Sequence, residues 1–384
     1  MPLDTAEFRI SPQKLLLALI LILIPVMLFG LYVGLQATHQ VQQMNGAYFR
    51  TITRASASIT SEYLAERVSE VILIANQSSV QQSVMAADHA YEHVPDSVLQ
   101  ARAEQLEKNW NSSQSDLLMK NIFGSEAAKT IRRHRELNPK LLRITVVDQA
   151  GAAVAATDKP LRYFQTETEY WRSFSSNAHP SVYVSDVRYD EQSRSQYIDI
   201  SAPIFQEGSG RFIGAVTALV DMAPLFSYLN QQQIAQTGRV FLIKDDGAVI
   251  TSAGLTPSGR VQSEEYNAIR DALGTLHGRE NGYIYSRLPN GEDYLIGFAD
   301  TGLKAAYANL GWIVVATQEA REAEGPVRNM ARLSMLLLVM SLILLSILGA
   351  YVYAHRQQKI EDIESAVKEE EEKEKIKQMS AGAA

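Results

Sequence analysis

Three features of the sequence predict an α+β chain: a long N-terminal stalk helix, then two tandem antiparallel-sheet modules, with a membrane-spanning helix at either end. Two long runs carry no charged residue, 24 residues over 15–38 and 22 over 333–354. Apolar residues recur at helical spacing over 41–75. A strand–turn–strand plan occurs twice, with Gly151 and Gly247 offset by 96 residues and Gly214 and Gly311 by 97.

At about 1.5 Å rise per residue, either uncharged run crosses a hydrocarbon core of about 30 Å as a helix. The first run, 15–38, is expected to be an uncleaved anchor: it is longer than the apolar part of a signal peptide, and Leu35-Gln36-Ala37 is a poor cleavage site. Pro25 is expected to kink it. Arg9 and Lys14 precede the first run, and His355, Arg356 and Lys359 follow the second. This places residues 1–14 and 355–384 in the cytoplasm, against a weaker opposing signal from Arg328 and Arg332. The central region then lies outside, in the periplasm or at the cell exterior, held by the inner or plasma membrane.

The stalk helix is read over 39–76. Val41, Met44, Tyr48, Ile52, Ala55, Ile59, Tyr63, Val68, Val71 and Ala75 form its apolar stripe. That stripe packs on its own module, on a second copy in a homodimer, or on each along different stretches. More helix is expected over 96–137, opened by Asp96 as N-cap. The period then shortens. Strands are predicted at 142–147 and 152–157 around the Asp148-Gln149-Ala150-Gly151 turn, followed by an antiparallel meander of 182–187, 197–204 and 212–220. The second copy runs through 240–243, the Asp245-Asp246-Gly247 turn, 248–251, a short helix at 264–273, and strands at 283–287, 294–299 and 312–317. A repeat of this length means two similar modules, placed at 77–230 and 231–325, before the second span at 330–354.

Composition excludes several function classes. A net charge of -7 over 384 residues leaves no basic stripe for nucleic acid, and the absence of cysteine removes disulfides, thiolate metal sites and cysteine nucleophiles. His89 and His93 have helical i, i+4 spacing beside Asp88 and Glu92, but a solvated helix face explains them better than a metal. Asp245-Asp246-Gly247 and Asn290-Gly291 read as hairpin turns. With no phosphate loop and no nucleophile elbow, the expectation is that the protein is not an enzyme and uses no cofactor or metal.

Tyr170-Trp171, Val182-Tyr183-Val184-Ser185-Asp186, Ser201-Ala202-Pro203-Ile204, and Gly214-Ala215-Val216 ending at Val220-Asp221 give the central region a resemblance to a known family. Over roughly 38–320 the chain resembles the double Cache sensor domains of chemoreceptors and receptor kinases, built from two PAS-like modules after a stalk helix. The resemblance implies that the membrane-distal module binds a small ligand and the proximal one relays the signal. It implies that Trp171, Tyr183, Asp186 and Asp221 border the ligand, with Glu169 and Tyr163 counted beside them. The alternative for the first four is structural: Trp171 and Tyr183 filling the core, and Asp221 capping the helix that follows it. Amino-acid-binding members carry an arginine where this chain has Glu169, and Arg162 or Arg172 could stand in for it. An acidic, aromatic pocket suits a cation, so the expected ligand is an amine or quaternary ammonium compound, with an amino acid as the other choice.

The tail from 355 onward carries Ile360, Ile363 and Val367 on one seam and Glu–Lys pairs at i, i+4 such as Glu369 with Lys373. A charged helix is expected. Thirty residues do not hold a kinase, cyclase or signalling hairpin, so a separate cytoplasmic or membrane partner is expected to receive the signal. A non-signalling scaffold of the same fold is the alternative.

Overall fold

The computed structural model describes residues 12–381 apart from 90–93, 95, 111, 113–114, 177–180, 191–194, 252–260 and 276–280. It divides into two compact units, Met1–Asn45 with Ala323–Ala384, and Gly46–Glu322.

The first unit holds the beginning of α1 (Pro12–Ala75) and all of α10 (Gly325–Ala381). The uncharged run at 15–38 is continuous helix within α1 and passes through Pro25. Gln42 Nε2 donates to Glu324 Oε1 at 2.6 Å, and Asn45 Nδ2 donates to the Ala323 carbonyl at 2.8 Å. Among the described residues, Arg332–Tyr351 is the one helical stretch long and apolar enough to cross a membrane. Its Leu333, Leu336, Leu337, Leu344 and Ile347 are all exposed.

The second unit carries the rest of α1, then α2 (Ser78–His89), α3 (Asp96–Trp110), α4 (Asp116–Gly124) and α5 (Glu126–Leu137). The helix expected over 96–137 is thus three helices. The last break falls at Gly124-Ser125, where the Ser125 hydroxyl accepts the Ala128 N–H at 3.1 Å and restarts the helix.

The first sheet follows: β1 (Leu141–Asp148), β2 (Ala153–Ala156), α6 (Glu169–Ser175), β3 (Tyr183–Val184), β4 (Arg188–Asp190), β5 (Ser195–Phe205), β6 (Phe212–Asp221) and α7 (Ala223–Gln231). The second comprises β7 (Arg239–Lys244), β8 (Val249–Thr251), α8 (Tyr266–Thr275), β9 (Asn281–Arg287), β10 (Asp293–Asp300) and β11 (Trp312–Glu319), before the short α9 (Ala320–Ala323). The strand paths are β2-β1-β6-β5-β3, with β4 also on β5, and β8-β7-β11-β10-β9, antiparallel throughout. In each sheet the first hairpin lies at one edge and the last strand is inserted at the centre.

The repeated glycines occupy matching places. Gly151 and Gly247 have φ of 80° and 87° in the two hairpin turns, a conformation that a side chain would strain. Gly214 pairs with Asp148 across β6 and β1, and the Gly311 carbonyl accepts the Asp245 N–H at 2.7 Å.

The buried face of α1 differs from the predicted stripe in its first half. Met44 and Tyr48 are exposed, while Phe49, Thr53, Ser56, Ala57, Thr60 and Leu64 are buried. From Val68 through Val71 to Ala75 prediction and structure coincide. Thr53 and Thr60 donate their hydroxyls to the carbonyls of Phe49 and Ser56, four residues back, so their polar atoms are satisfied inside the helix. The helix lies close on β10 at Gly297, where an added Cβ would stand 2.9–3.0 Å from Phe49 atoms.

Candidate ligand-binding site

Three neighbouring strands lay a polar patch on one face of the first sheet. Arg143 on β1 pairs with Leu219 on β6, which pairs with Asp199 on β5. In the next row, Thr145 pairs with Thr217 and Thr217 with Ser201. Residues two apart on a strand share a face, so Arg143 and Thr145, Tyr197 and Asp199, and Thr217 and Leu219 lie side by side. Above them sit the 160–168 loop and the start of α6. The hollow between them, partly open to solvent, has a volume of about 320 Å³ and is bordered by Arg143, Tyr170, Tyr183, Arg188, Tyr197 and Asp199, together with Glu167 and Glu169.

Arg188 organises the charges. Its Nη2 donates to Glu169 Oε2 at 2.7 Å and its Nη1 to Asp199 Oδ2 at 3.2 Å. The Tyr183 hydroxyl donates to the same Glu169 oxygen at 2.6 Å. Tyr183 and then Arg188 hold the Glu169 carboxyl below its ordinary value, while burial and the adjacent carboxylate hold the Tyr183 phenol up. Burial pushes Asp199 up to about 6, against the opposing pull of Arg188 and with Glu169 adding to the rise. Tyr170 is pushed up by burial to about 12. The hollow therefore presents carboxylates, guanidinium groups and phenols within hydrogen-bonding reach of one small molecule.

The six residues singled out from the sequence fall in different places. Glu169 and Tyr183 border the hollow. Trp171 turns the other way, into a core cluster with Val147, Tyr170, Phe174 and Ala215, its ring 6.0 Å from that of Phe212. The Trp171 region is filled by side chains, and the hollow opens beside it. Asp221 Oδ1 accepts the Ala223 N–H at 2.9 Å and so caps α7, while its carbonyl accepts the Tyr63 hydroxyl at 2.7 Å. Tyr163 packs at a tilt of 53° against Trp110 with ring centroids 5.7 Å apart. Asp186 pairs with Lys244 Nζ at 2.6 Å. Arg162 pairs with Glu167, and the hollow takes its guanidinium groups from Arg143 and Arg188 instead. Of the residues that sequence reasoning missed, Arg143, Tyr197 and Asp199 carried one signal, polar side chains at two-residue spacing inside largely apolar strands, whereas Arg188 lies on the short polar strand β4 and carried none.

A short segment joins the hollow to the second sheet. Tyr183 and Arg188 border the hollow, and between them Val184 accepts Asn309 Nδ2 on its carbonyl at 3.1 Å and Asp186 binds Lys244. The Ser185 N–H donates to the Asp199 carbonyl and the Asp199 N–H to Ser185 Oγ, which keeps the segment on β5.

A larger hollow of about 660 Å³ lies between α3 and residues 162–167, with Arg102, Leu106, Ala150 and Phe164 on its walls. Arg102, Glu104, Glu107, Arg162 and Glu167 also line it; the smaller hollow is the better candidate on chemical grounds because one of its carboxylates, Asp199, is largely buried and two of them meet on one guanidinium. Among the described residues no group of three or more His, Asp or Glu side chains is arranged to hold a metal ion. His93 lies outside the described residues, so the His89–His93 pairing has no structural counterpart here.

A family model described as Cache domain, dCache_1, matches residues 37–327. Several solved structures are similar. The ligand-binding domain of the Pseudomonas aeruginosa PAO1 amino acid chemoreceptor PctC, in complex with GABA, is 14% identical over 71% of this chain and 99% of that one, with a TM-score of 0.44. The ligand-binding domain of the Pseudomonas fluorescens chemoreceptor CtaA, with L-serine, is 11% identical over 72% and 97%, with a TM-score of 0.43. The ligand-binding domain of Mlp24, with asparagine, is 16% identical over 73% and 99%, with a TM-score of 0.37. No curated protein matches the chain.

Proposed function

The chain belongs to the Cache domain family, and on that premise we propose that it is a membrane-anchored sensor whose first sheet takes a small ligand bearing an ammonium group. The observation that carries this reading is the convergence of Glu169, Asp199, Tyr183 and Arg188 on one hollow of about 320 Å³. Glu167, Glu169 and Asp199 line the hollow against the guanidinium groups of Arg143 and Arg188, so a cationic group completes the balance. Arg143, on the floor of the same hollow, meets a carboxylate on ligands that have one. The ligand class is therefore an amine or an amino acid, and the role assigned is binding, without chemistry on the ligand.

Signal transmission in this reading uses the 183–188 segment. Ligand that shifts Tyr183 and Arg188 shifts the bonds from Val184 to Asn309 and from Asp186 to Lys244, and a ligand with different affinity for the two arrangements changes their populations. The two uncharged runs anchor the chain, with the region between them outside the cytoplasm.

Thermal-shift and calorimetric screening of the full chain in lipid nanodiscs tests the ligand class. Amines or amino acids stabilise the protein if the reading holds. Stabilisation by organic acids lacking an ammonium group, with none by amines, defeats it.

A further inference from the structure

We propose that Asp199 is the specificity-determining carboxylate of the hollow, and that a proton and the ligand's ammonium group compete for it. This rests on the ligand reading above and adds to it a particular residue and a dependence on acidity.

The geometry makes Asp199 the less satisfied of the two acids. Glu169 receives the shorter bond from Arg188, at 2.7 Å, and also the Tyr183 hydroxyl at 2.6 Å. Among the described residues the Asp199 carboxylate takes only the longer one, at 3.2 Å, although its side chain is 16% exposed against 61% for Glu169. Its backbone is held by Ser185, so the carboxyl cannot swing out with the strand: Ser185 N donates to the Asp199 carbonyl at 2.9 Å, and Asp199 N donates to Ser185 Oγ at 2.8 Å. A buried carboxylate with half a guanidinium is costly, and a proton or an added cation relieves it.

The groups around it are Glu169 and Tyr170 from α6, Tyr183 from β3, Arg188 from β4, Arg143 from β1 and Tyr197 on its own strand; β6 contributes the uncharged Thr217 and Leu219. The midpoint of about 6 agrees with this balance. Entry of an ammonium ligand converts protonated Asp199 into an ion pair and releases one proton to solvent. With that midpoint, about nine-tenths of the protein is ionised at pH 7 and about one-tenth at pH 5, so apparent Kd weakens about tenfold between them.

Two readouts on the full chain in nanodiscs decide the matter. In the first, without ligand, unfolding is followed from pH 7.5 to 5 for the wild type, Asp199→Asn and Glu169→Gln. The wild type gains stability on acidification relative to Asp199→Asn, and Glu169→Gln, which removes the facing negative charge, moves the break to lower pH. Parallel profiles for the wild type and Asp199→Asn overturn the proposal. Should Asp199→Asn not fold, an unmoved break in Glu169→Gln overturns it as well. In the second, calorimetry with γ-aminobutyrate, L-serine and L-asparagine at pH 5 and 7 reports affinity and proton release. A probe that binds with the same Kd at both values overturns the proposal. Absence of binding by any amine, with the ligand-free profiles diverging as stated, defeats the ligand reading and leaves proton uptake at Asp199 supported.

Discussion

Asp186 Oδ2 lies 2.6 Å from Lys244 Nζ, tying the segment that follows β3 to the last residue of β7. A residue that the family resemblance implied as a ligand contact thus spends its charge on the second sheet. Both side chains are partly exposed, at 40% and 19%, so the pair contributes less than about 1 kcal/mol to stability.

Its removal is expected to matter for coupling. In Lys244→Met combined with Asn309→Ala, ligand affinity changes by less than about threefold, the effect of under 1 kcal/mol. Ligand-induced slowing of amide exchange in β7 is expected to disappear. Hydrogen-exchange mass spectrometry checks this, and undiminished slowing in the double variant rules out the segment as the route.

Trp171→Ala is expected to cost about 3–5 kcal/mol, the range for removing a large buried aromatic side chain. Trp171 is 9% exposed within its core cluster. The measurement is a denaturant or thermal midpoint without ligand. A variant of wild-type stability that loses only ligand binding contradicts the core assignment.

Arg143→Gln is expected to separate ligand types. Loss of one charge-assisted hydrogen bond, about 1.5–3 kcal/mol, weakens Kd for amino acids roughly tenfold to a hundredfold. Simple amines, which have no carboxylate for Arg143 to meet, are unaffected. Titration of both types against the variant tests this, and equal losses for the two count against the assignment.

Glu322 accepts the backbone N–H groups of Gln236 and Thr237 at 2.8 and 2.9 Å as well as the Thr237 hydroxyl. The Thr237 hydroxyl and these two N–H groups lower its carboxyl from 4.5 to about 2. A lowered folded-state value means stability that is present above about 4.5 and lost as pH falls through about 2. Glu322→Gln is expected to flatten stability across that window. Thermal midpoints of the two proteins between pH 5 and 2 provide the check.

Gly297→Ala is expected to cost about 1–3 kcal/mol by overpacking, because the added carbon meets Phe49 on α1 at 2.9–3.0 Å, two of the three contacts being backbone. A thermal midpoint equal to wild type shows that α1 can yield.

The main strands, the duplicated plan and the two uncharged runs were legible in the sequence, because each is written locally as a period, a turn or a length, whereas α2 was not, and α6 and β4 are too short to show such a pattern. Gly151 and Gly247 mark equivalent turns through the backbone conformation they adopt, and that requirement shows in a single residue. The α1 face misread before Val68 shows where local pattern fails. Thr53 and Thr60 are polar by type and yet buried, since their hydroxyls are satisfied within their own helix. The hollow lies further still from local pattern. Arg143, Asp199 and Leu219 meet only because strand register sets β1, β6 and β5 side by side. Arg188 reaches Asp199 across β4 and β5, and Trp171 and Glu169, two residues apart on α6, part to opposite environments according to what packs against each. Such placements depend on pairings between residues dozens of positions apart, and those are decided by the burial and hydrogen bonding of the whole sheet.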